Sequence, residues 1–433
     1  IGVTVCEDMW QPGPPATDLA LAGAELIVNI SASPFHLLRD REREEMFRTR
    51  ARDTSAFVAF CNTVGGQDEL IFDGHSLVLD DEGAVLARGP GFEEAMLYVD
   101  VEPGSVVQRR LNDARRRALA AERGVFGVTT IHVGTPHTHA DAVEPPLAEF
   151  VDDLEQMRLA LELGLVDYVR KNGFREVVVG VSGGIDSALV AALAAEALGP
   201  DKVHCVSMPS RYSSEGTRGD AQRLAEALGC DFREIAIEPM VEDFVAALSS
   251  SFEGRDPDLT EENLQARIRG TLLMALSNKF GWLLVATGNK SEMSVGYATL
   301  YGDMAGGFAL LKDVYKTDVF RLSRYLNERA GRELIPQSII DRAPSAELRA
   351  DQLDADSLPP YPQLDQVLEA YVEQDRTLEE LSNDGFDPDV VTRAVALVDR
   401  SEYKRRQAPP GVRLRPKAFG RDRRTPITNR WRS

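Results

Sequence analysis

Gly180-Val181-Ser182-Gly183-Gly184-Ile185-Asp186-Ser187 decides the fold. It follows an apolar, β-branched run, Val177 to Val181, and precedes an Ala/Leu-rich stretch that predicts a helix from near Ser187 to Leu198. A strand, a tight glycine loop and a helix N-terminus together make a phosphate cradle. The unpaired N–H groups of the first helical turn point at the ligand, and the helix dipole favours an anion there. Adjacent glycines let the backbone approach a phosphate closely. The loop has no Gly-Lys-Ser/Thr, so it is not a Walker loop. It carries an acid instead. A carboxylate beside a phosphate is repulsive unless a cation separates them, so Asp186 implies Mg²⁺. A chance glycine turn before a helix is the bland alternative, and the enclosed Asp-Ser argues against it.

Around this loop, helix and strand alternate. The pattern predicts a helix at 149–172, a strand at 177–181, a helix at 187–198 and a strand at 203–208. A helix at 216–228, a strand at 232–237, a helix near 262–279 and a strand at 282–286 follow. Such alternation predicts a parallel sheet covered on both faces, with ligands at the carboxyl ends of its strands.

Residues 1 to about 125 read differently. Short β-like runs (Gly2–Val5, Glu25–Ile30, Ala56–Asn62, His75–Asp80, Met96–Val101) are interrupted by one long charged helix, Arg39 to Thr54. Residues 126–148, rich in Thr, His, Pro and Gly, read as a linker. Three of the six histidines fall there, at His132, His137 and His139, with no carboxylate or Cys at matching spacing, so an exposed linker is favoured over a metal site. The expected organisation is thus 1–125, a linker 126–148, and 149–433.

The chain has 433 residues, 43% of them hydrophobic, and a net charge of −20, which suits a soluble cytoplasmic protein and disfavours a general nucleic-acid binder. No apolar run approaches the ~20 residues of a membrane span. The four cysteines show no C-x-x-C spacing, which excludes a disulfide framework or zinc cluster as the default. The eleven Lys/Arg between Lys404 and Arg432 lack interleaved aromatics, so phosphate-rich small molecules explain them better than nucleic acid.

The loop resembles that of the ATP pyrophosphatases, Ser-Gly-Gly-x-Asp-Ser, which split ATP between its α and β phosphates. Further motifs follow in order: Glu262-Asn263-Leu264-Gln265-Ala266-Arg267-Ile268-Arg269, Thr287-Gly288-Asn289-Lys290-Ser291-Glu292, Tyr301-Gly302-Asp303-Met304-Ala305-Gly306-Gly307, Leu311-Lys312-Asp313-Val314-Tyr315-Lys316-Thr317 and Tyr403-Lys404-Arg405-Arg406-Gln407. Together, across 149–433, they resemble the NAD synthetase family. That resemblance implies ATP-driven adenylation of deamido-NAD and amidation by ammonia, giving NAD, AMP and pyrophosphate. It also implies site residues: Gly180 to Ser187, Thr287 and Lys316 for ATP, and Asp186 and Glu292 for Mg²⁺. Deamido-NAD falls to Asn263, Glu292, Tyr297, Ala298, Thr299, Leu300, Asp303 and Lys404. Taken singly, Lys316 and Lys404 would be surface lysines, and Glu262–Arg269 a solvated helix face. Met208 fits an adenine pocket or ordinary core equally well. The Ser/Arg run Ser207–Ser214 reads as a loop able to close over the nucleotide. A homodimer or larger homo-oligomer is a further implication.

Cys6-Glu7-Asp8-Met9-Trp10, Asn29-Ile30-Ser31-Ala32-Ser33-Pro34-Phe35-His36 and Cys61 to Glu69 resemble the nitrilase-type glutaminase domain. The resemblance makes Cys6 the nucleophile on the glutamine amide and places Ser33 and Arg39 at glutamine. Many relatives carry Lys where this chain has Arg39. Cys61, Cys205 and Cys230 are left as structural. The family's Glu base and Lys lie upstream of its nucleophile, and Ile1 stands five residues before Cys6. The expectation is therefore a fragment that does not hydrolyse glutamine by itself. The expected fold class is α/β: a partial nitrilase-like α-β-β-α sandwich, then a doubly wound, Rossmann-like parallel sheet of the adenine-nucleotide-hydrolase kind. Another ATP-pyrophosphatase amidotransferase, a stand-alone carbon–nitrogen hydrolase and a non-catalytic nucleotide-binding scaffold fit these motifs less well.

Overall fold

The computed structural model describes residues 1–123, 127–132, 134 and 144–428. It divides into two compact units, Ile1–Gly65 with Ile71–Asp153, and Gly66–Leu70 with Leu154–Ser433.

The first unit is built on a five-stranded sheet. Strands β1 (Gly2–Val5), β2 (Leu26–Ser31) and β3 (Phe57–Asn62) are parallel, with Val3 opposite Val28 and Val28 opposite Ala59. A two-stranded ribbon of β4 (Val64–Gln67) and β5 (Leu70–Asp73) follows. Then β6 (Leu77–Leu79) and β7 (Val85–Arg88) extend the sheet antiparallel. The helix Arg39–Thr54 lies at the expected place and buries Phe47 and Ala51 in a core with Ile27, Val58, Phe60 and Leu79. Arg43 of this helix is fully buried and is held by both oxygens of Asp73, at 2.9 and 3.0 Å.

Two expectations fail here. Met96–Val101 is not a strand; Met96 is 75% exposed and Tyr98 63%, and the outer edge of β7 is bonded at Arg88 by Pro146–Ala148 instead. The next residues form two unforeseen helices, Gly104–Asn112 and Ala114–Arg123. Within 126–148, Pro146–Ala148 hydrogen-bond along Arg88 of β7. His132 is exposed, while His137 and His139 lie outside the described residues.

The second unit carries the all-parallel sheet, in the order β10 (Asp231–Glu234), β9 (Val203–Ser207), β8 (Val177–Gly180), β11 (Leu283–Ala286), β12 (Phe308–Ala309). Central β8 pairs with β9 through Val179–Cys205 and with β11 through Val179–Val285. Continuous burial along β8, β9 and β11 is what a sheet covered on both faces requires. Local chemistry sets the helix ends. Ser214, Asp258 and Asn289 cap three N-termini with their side chains, and left-handed Gly229, Gly281 and Gly296 end the same three helices. The helix after the phosphate loop begins at Ile185, two residues before the expected start, which puts Asp186 in its first turn. Among the described residues, no helix is long and apolar enough to cross a membrane.

Candidate active site

The phosphate loop leaves β8 at Gly180 and enters the helix at Ile185. Gly183 has φ +80°, and a Cβ there would stand 2.3 Å from the Thr217 carbonyl oxygen, so only glycine fits. Ser187 Oγ donates to the Gly184 carbonyl at 3.0 Å, and the Gly184 N–H donates to Ser182 Oγ at 3.2 Å. The loop is closed by its own side chains. Beside it, at the carboxyl ends of β8, β9 and β11, opens a cavity of about 290 Å³. Every residue from Gly180 to Ser187 lines it, as do Thr287, Glu292, Tyr297, Thr299, Asp303 and Lys316. Met208 reaches both the cavity and the core beneath it.

The electrostatic centre is a cation between two acids. Lys316 begins its helix and its Nζ lies on Asp186 Oδ2 and 3.1 Å from Glu292 Oε1. Asn289 Nδ2 donates to the other Asp186 oxygen at 2.8 Å, while Asn289 Oδ1 accepts the Glu292 N–H at 3.0 Å. One side chain thus caps a helix and orients an acid. Burial pushes the Glu292 carboxyl up to about 7; Asp186 adds to this, and Lys316 opposes it. Burial alone would lower the Lys316 ammonium, but Asp186 and Glu292 outweigh it and hold the group above its ordinary value.

The other expected residues gather at the far side of this cavity or behind its wall. The Thr299 N–H donates to Asp303 Oδ1 at 2.6 Å and its Oγ1 to Asn263 Oδ1 at 2.9 Å. Burial pushes the Asp303 carboxyl up to about 6, opposed by the Thr299 N–H. Leu300 contributes its carbonyl to Arg267. Lys404 does not line the cavity. Its Nζ donates to the Gly296 and Ala298 carbonyls, both at 2.7 Å, so it ties down the loop that carries Tyr297 to Leu300.

Sequence reasoning missed several participants. Asp354 lines the cavity and accepts from Tyr297 Oη at 3.2 Å and Tyr361 Oη at 2.8 Å. The Lys316 ammonium stands 5.2 Å from the centre of the Tyr361 ring. Ser291 and Asp365 fix Lys316 from behind. The Lys316 N–H donates to Ser291 Oγ at 2.9 Å, Ser291 Oγ donates to Asp365, and Asp365 accepts the Thr317 N–H at 2.9 Å. Asn289 and Ser291 stand inside a quoted motif and were within reach; Asp354, Tyr361 and Asp365 carried no local signal.

In the first unit, Cys6 follows β1 with φ +45°, a left-handed conformation costly for a residue with a Cβ. Asn29 Nδ2 donates to its carbonyl at 3.3 Å. Ser33 is buried and bonded through its backbone to the Asn62 amide. The Arg39 guanidinium stacks on Trp10, 4.0 Å from the ring centre. Cys6 and Ser33 thus follow the ends of β1 and β2, and Arg39 opens the helix Arg39–Thr54. Among the described residues, no cluster of three or more His, Cys, Asp or Glu makes a metal centre.

Residues 158–408 match the NAD synthase family and residues 1–111 the carbon–nitrogen hydrolase family. The whole chain aligns at 48% identity with 75% of a glutamine-dependent NAD(+) synthetase of Thermotoga maritima. Among solved structures, 99% of the chain superposes on 72% of a glutamine-dependent NAD+ synthetase from Acinetobacter baumannii in complex with ADP, at TM-score 0.67 and 37% identity. A second such synthetase, from Cytophaga hutchinsonii, shares the fold over 99% of this chain and 71% of its own at TM-score 0.75 and 20% identity. The chain belongs to the glutamine-dependent NAD(+) synthetase family, with an NAD synthase module joined to a carbon–nitrogen hydrolase module.

Proposed function

We propose that the cavity of the second unit adenylates the nicotinate carboxylate of deamido-NAD with ATP and that ammonia then displaces AMP, giving NAD. The observation that carries this reading is the Lys316 ammonium set between Asp186 and Glu292 at the mouth of a glycine phosphate loop. A carboxylate resists ammonia because its charge repels a nucleophile and oxide leaves badly. Transfer of AMP supplies a leaving group, and charge developing on the phosphoryl oxygens needs fixed cations and donors.

Gly180 to Ser187 bind the pyrophosphate through backbone N–H groups, Thr287 holds ATP, and Lys316 neutralises the transferring phosphoryl group. Asn263, Tyr297 to Leu300, Asp303 and Glu292 hold the deamido-NAD end. Lys404 acts through the Gly296 and Ala298 carbonyls, a positioning role. Asp186 and Glu292 fit Mg²⁺: both are hard oxygen donors that already share a cation. Asp186 and Glu292 would hold the ion, which would supply Lewis-acid stabilisation of the charge on the phosphates. Two protein carboxylates suffice, since Mg²⁺ takes its other ligands from phosphates and water.

Residues 1–125 form the glutaminase part and 149–433 the synthetase part, with 126–148 joining them. Cys6 is the thiol for the glutamine amide, and Ser33 and Arg39 hold the substrate. The left-handed backbone at Cys6 supports this, since strain of that kind concentrates at functional positions. The homo-oligomer has an apolar surface available: no residue of the helix Glu238–Leu248 is buried, and Phe244, Val245, Met274 and Phe280 are exposed.

The test is product analysis with deamido-NAD, ATP, Mg²⁺ and ammonium. NAD, AMP and pyrophosphate in equal amounts support the reading; ADP and phosphate would overturn it.

A further inference from the structure

Just beyond the short helix Gln337–Asp341, Arg342 reaches the phosphate loop from a part of the chain no motif covers. Its Nη1 donates to the Gly183 carbonyl at 3.0 Å, and its Nη2 pairs with Asp220 Oδ2. Asp220 is fully buried on the helix Glu215–Leu228. It also pairs with Arg223 and accepts from Ser338 Oγ at 2.6 Å. One carboxylate thus serves two guanidinium groups, while Glu347, which also lines the cavity, accepts from Thr217 Oγ1 at 3.0 Å. The first turn of that helix makes room, for Gly216 has no side chain and a Cβ there would stand 3.3 Å from Nη2.

The two bonds of Arg342 take two of the five N–H donors of a rigid fork. The guanidinium lines the same cavity as the loop. Lys316 holds the loop at Asp186, and Arg342 holds it three residues earlier, at Gly183. The other arginines lining the cavity are held away from the phosphate loop itself. Arg218 pairs with Glu234 at 2.6 Å, and Arg269 Nε donates to the Met208 carbonyl at 3.0 Å.

We propose that Arg342 binds the β- and γ-phosphates of ATP and holds the pyrophosphate as it departs. This rests on the cavity being the ATP site. In the adenylation step a carboxylate oxygen forms a bond to the α-phosphorus, and the bond from that phosphorus to the α,β-bridging oxygen breaks. The electron pair stays on that oxygen, which leaves as pyrophosphate. The charge therefore grows on the phosphates the loop cradles, and a planar guanidinium pairs with two such oxygens at once. Lys316 serves the phosphoryl group being transferred; Arg342 serves the group that leaves.

Product inhibition separates these roles, because AMP carries the α-phosphate alone. With wild-type turnover of ATP and deamido-NAD established first, Arg342→Ala should weaken inhibition by pyrophosphate about ten- to a hundredfold and leave inhibition by AMP unchanged. Arg342→Lys, which keeps the charge and loses the fork, should fall between. It also provides the readout if the alanine protein fails to fold. Unchanged pyrophosphate inhibition in a folded variant, or equal weakening toward pyrophosphate and AMP, would overturn the proposal and leave Arg342 a structural tie. A wild-type protein without turnover would instead count against the function assigned to the cavity.

Discussion

Lys316 Nζ stands 3.1 Å from Glu292 Oε1, and the two side chains project from the first turns of different helices. Each is held at its root: Glu292 by the Asn289 cap, Lys316 by Ser291. The site is therefore assembled from short backbone-anchored levers rather than from mobile surface chains.

Removing the cation should remove the chemistry. Lys316→Met is expected to lower kcat for NAD formation by about 10²–10³, the usual loss when one fixed electrostatic stabiliser is deleted. A circular-dichroism melt checks that the fold persists, and unaltered kcat would exclude Lys316 from the reacting centre.

Asp365 accepts from Ser291 Oγ and the Thr317 N–H, so it joins three helices behind Lys316. Asp365→Asn turns one acceptor into a donor facing a donor. It should destabilise the protein by about 1–3 kcal/mol in urea unfolding and reduce kcat through a misplaced Lys316.

Lys290 is fully buried, with Asp313 at 2.7 Å and Glu373 at 2.8 Å. Lys290→Met leaves two buried acids without their cation. A loss of about 3–5 kcal/mol is expected in the same unfolding experiment, far more than for an exposed lysine such as Lys171.

Asp303 gives a pH signature. Burial holds its carboxyl up to about 6, against 3.8 for an ordinary aspartate. Between those values the folded protein keeps a proton that the unfolded chain has released, so this group makes stability fall as pH rises from about 4 to about 6. The penalty is absent below that window and complete above it. Asp303→Asn has no such titration, so its stability should fall less than the parent's as pH rises from about 4 to about 6. Unfolding midpoints at pH 4, 5, 6 and 7 report the difference in slope.

The sequence made legible what is local. The phosphate loop, its strand and its helix lie within about twenty residues, and short apolar runs between helices located four strands of the second sheet but not β12, Phe308–Ala309. The failures have physical causes. Met96–Val101 alternates like a strand, yet pairing is a property of neighbours, and the outer edge of β7 is taken at Arg88 by Pro146–Ala148. The charge of Lys404 is visible in a sequence, whereas the two carbonyls it bonds are not. Arg342, Asp354, Tyr361 and Asp365 enter the site from segments far along the chain, and only the tertiary fold brings them to Asp186 and Glu292.

The most direct test of the account is exchange of labelled pyrophosphate into ATP, measured with and without deamido-NAD in the presence of Mg²⁺. The account predicts exchange that requires deamido-NAD and is lost in Glu292→Gln. Exchange that proceeds without deamido-NAD, or that survives loss of the Glu292 charge undiminished, would contradict it.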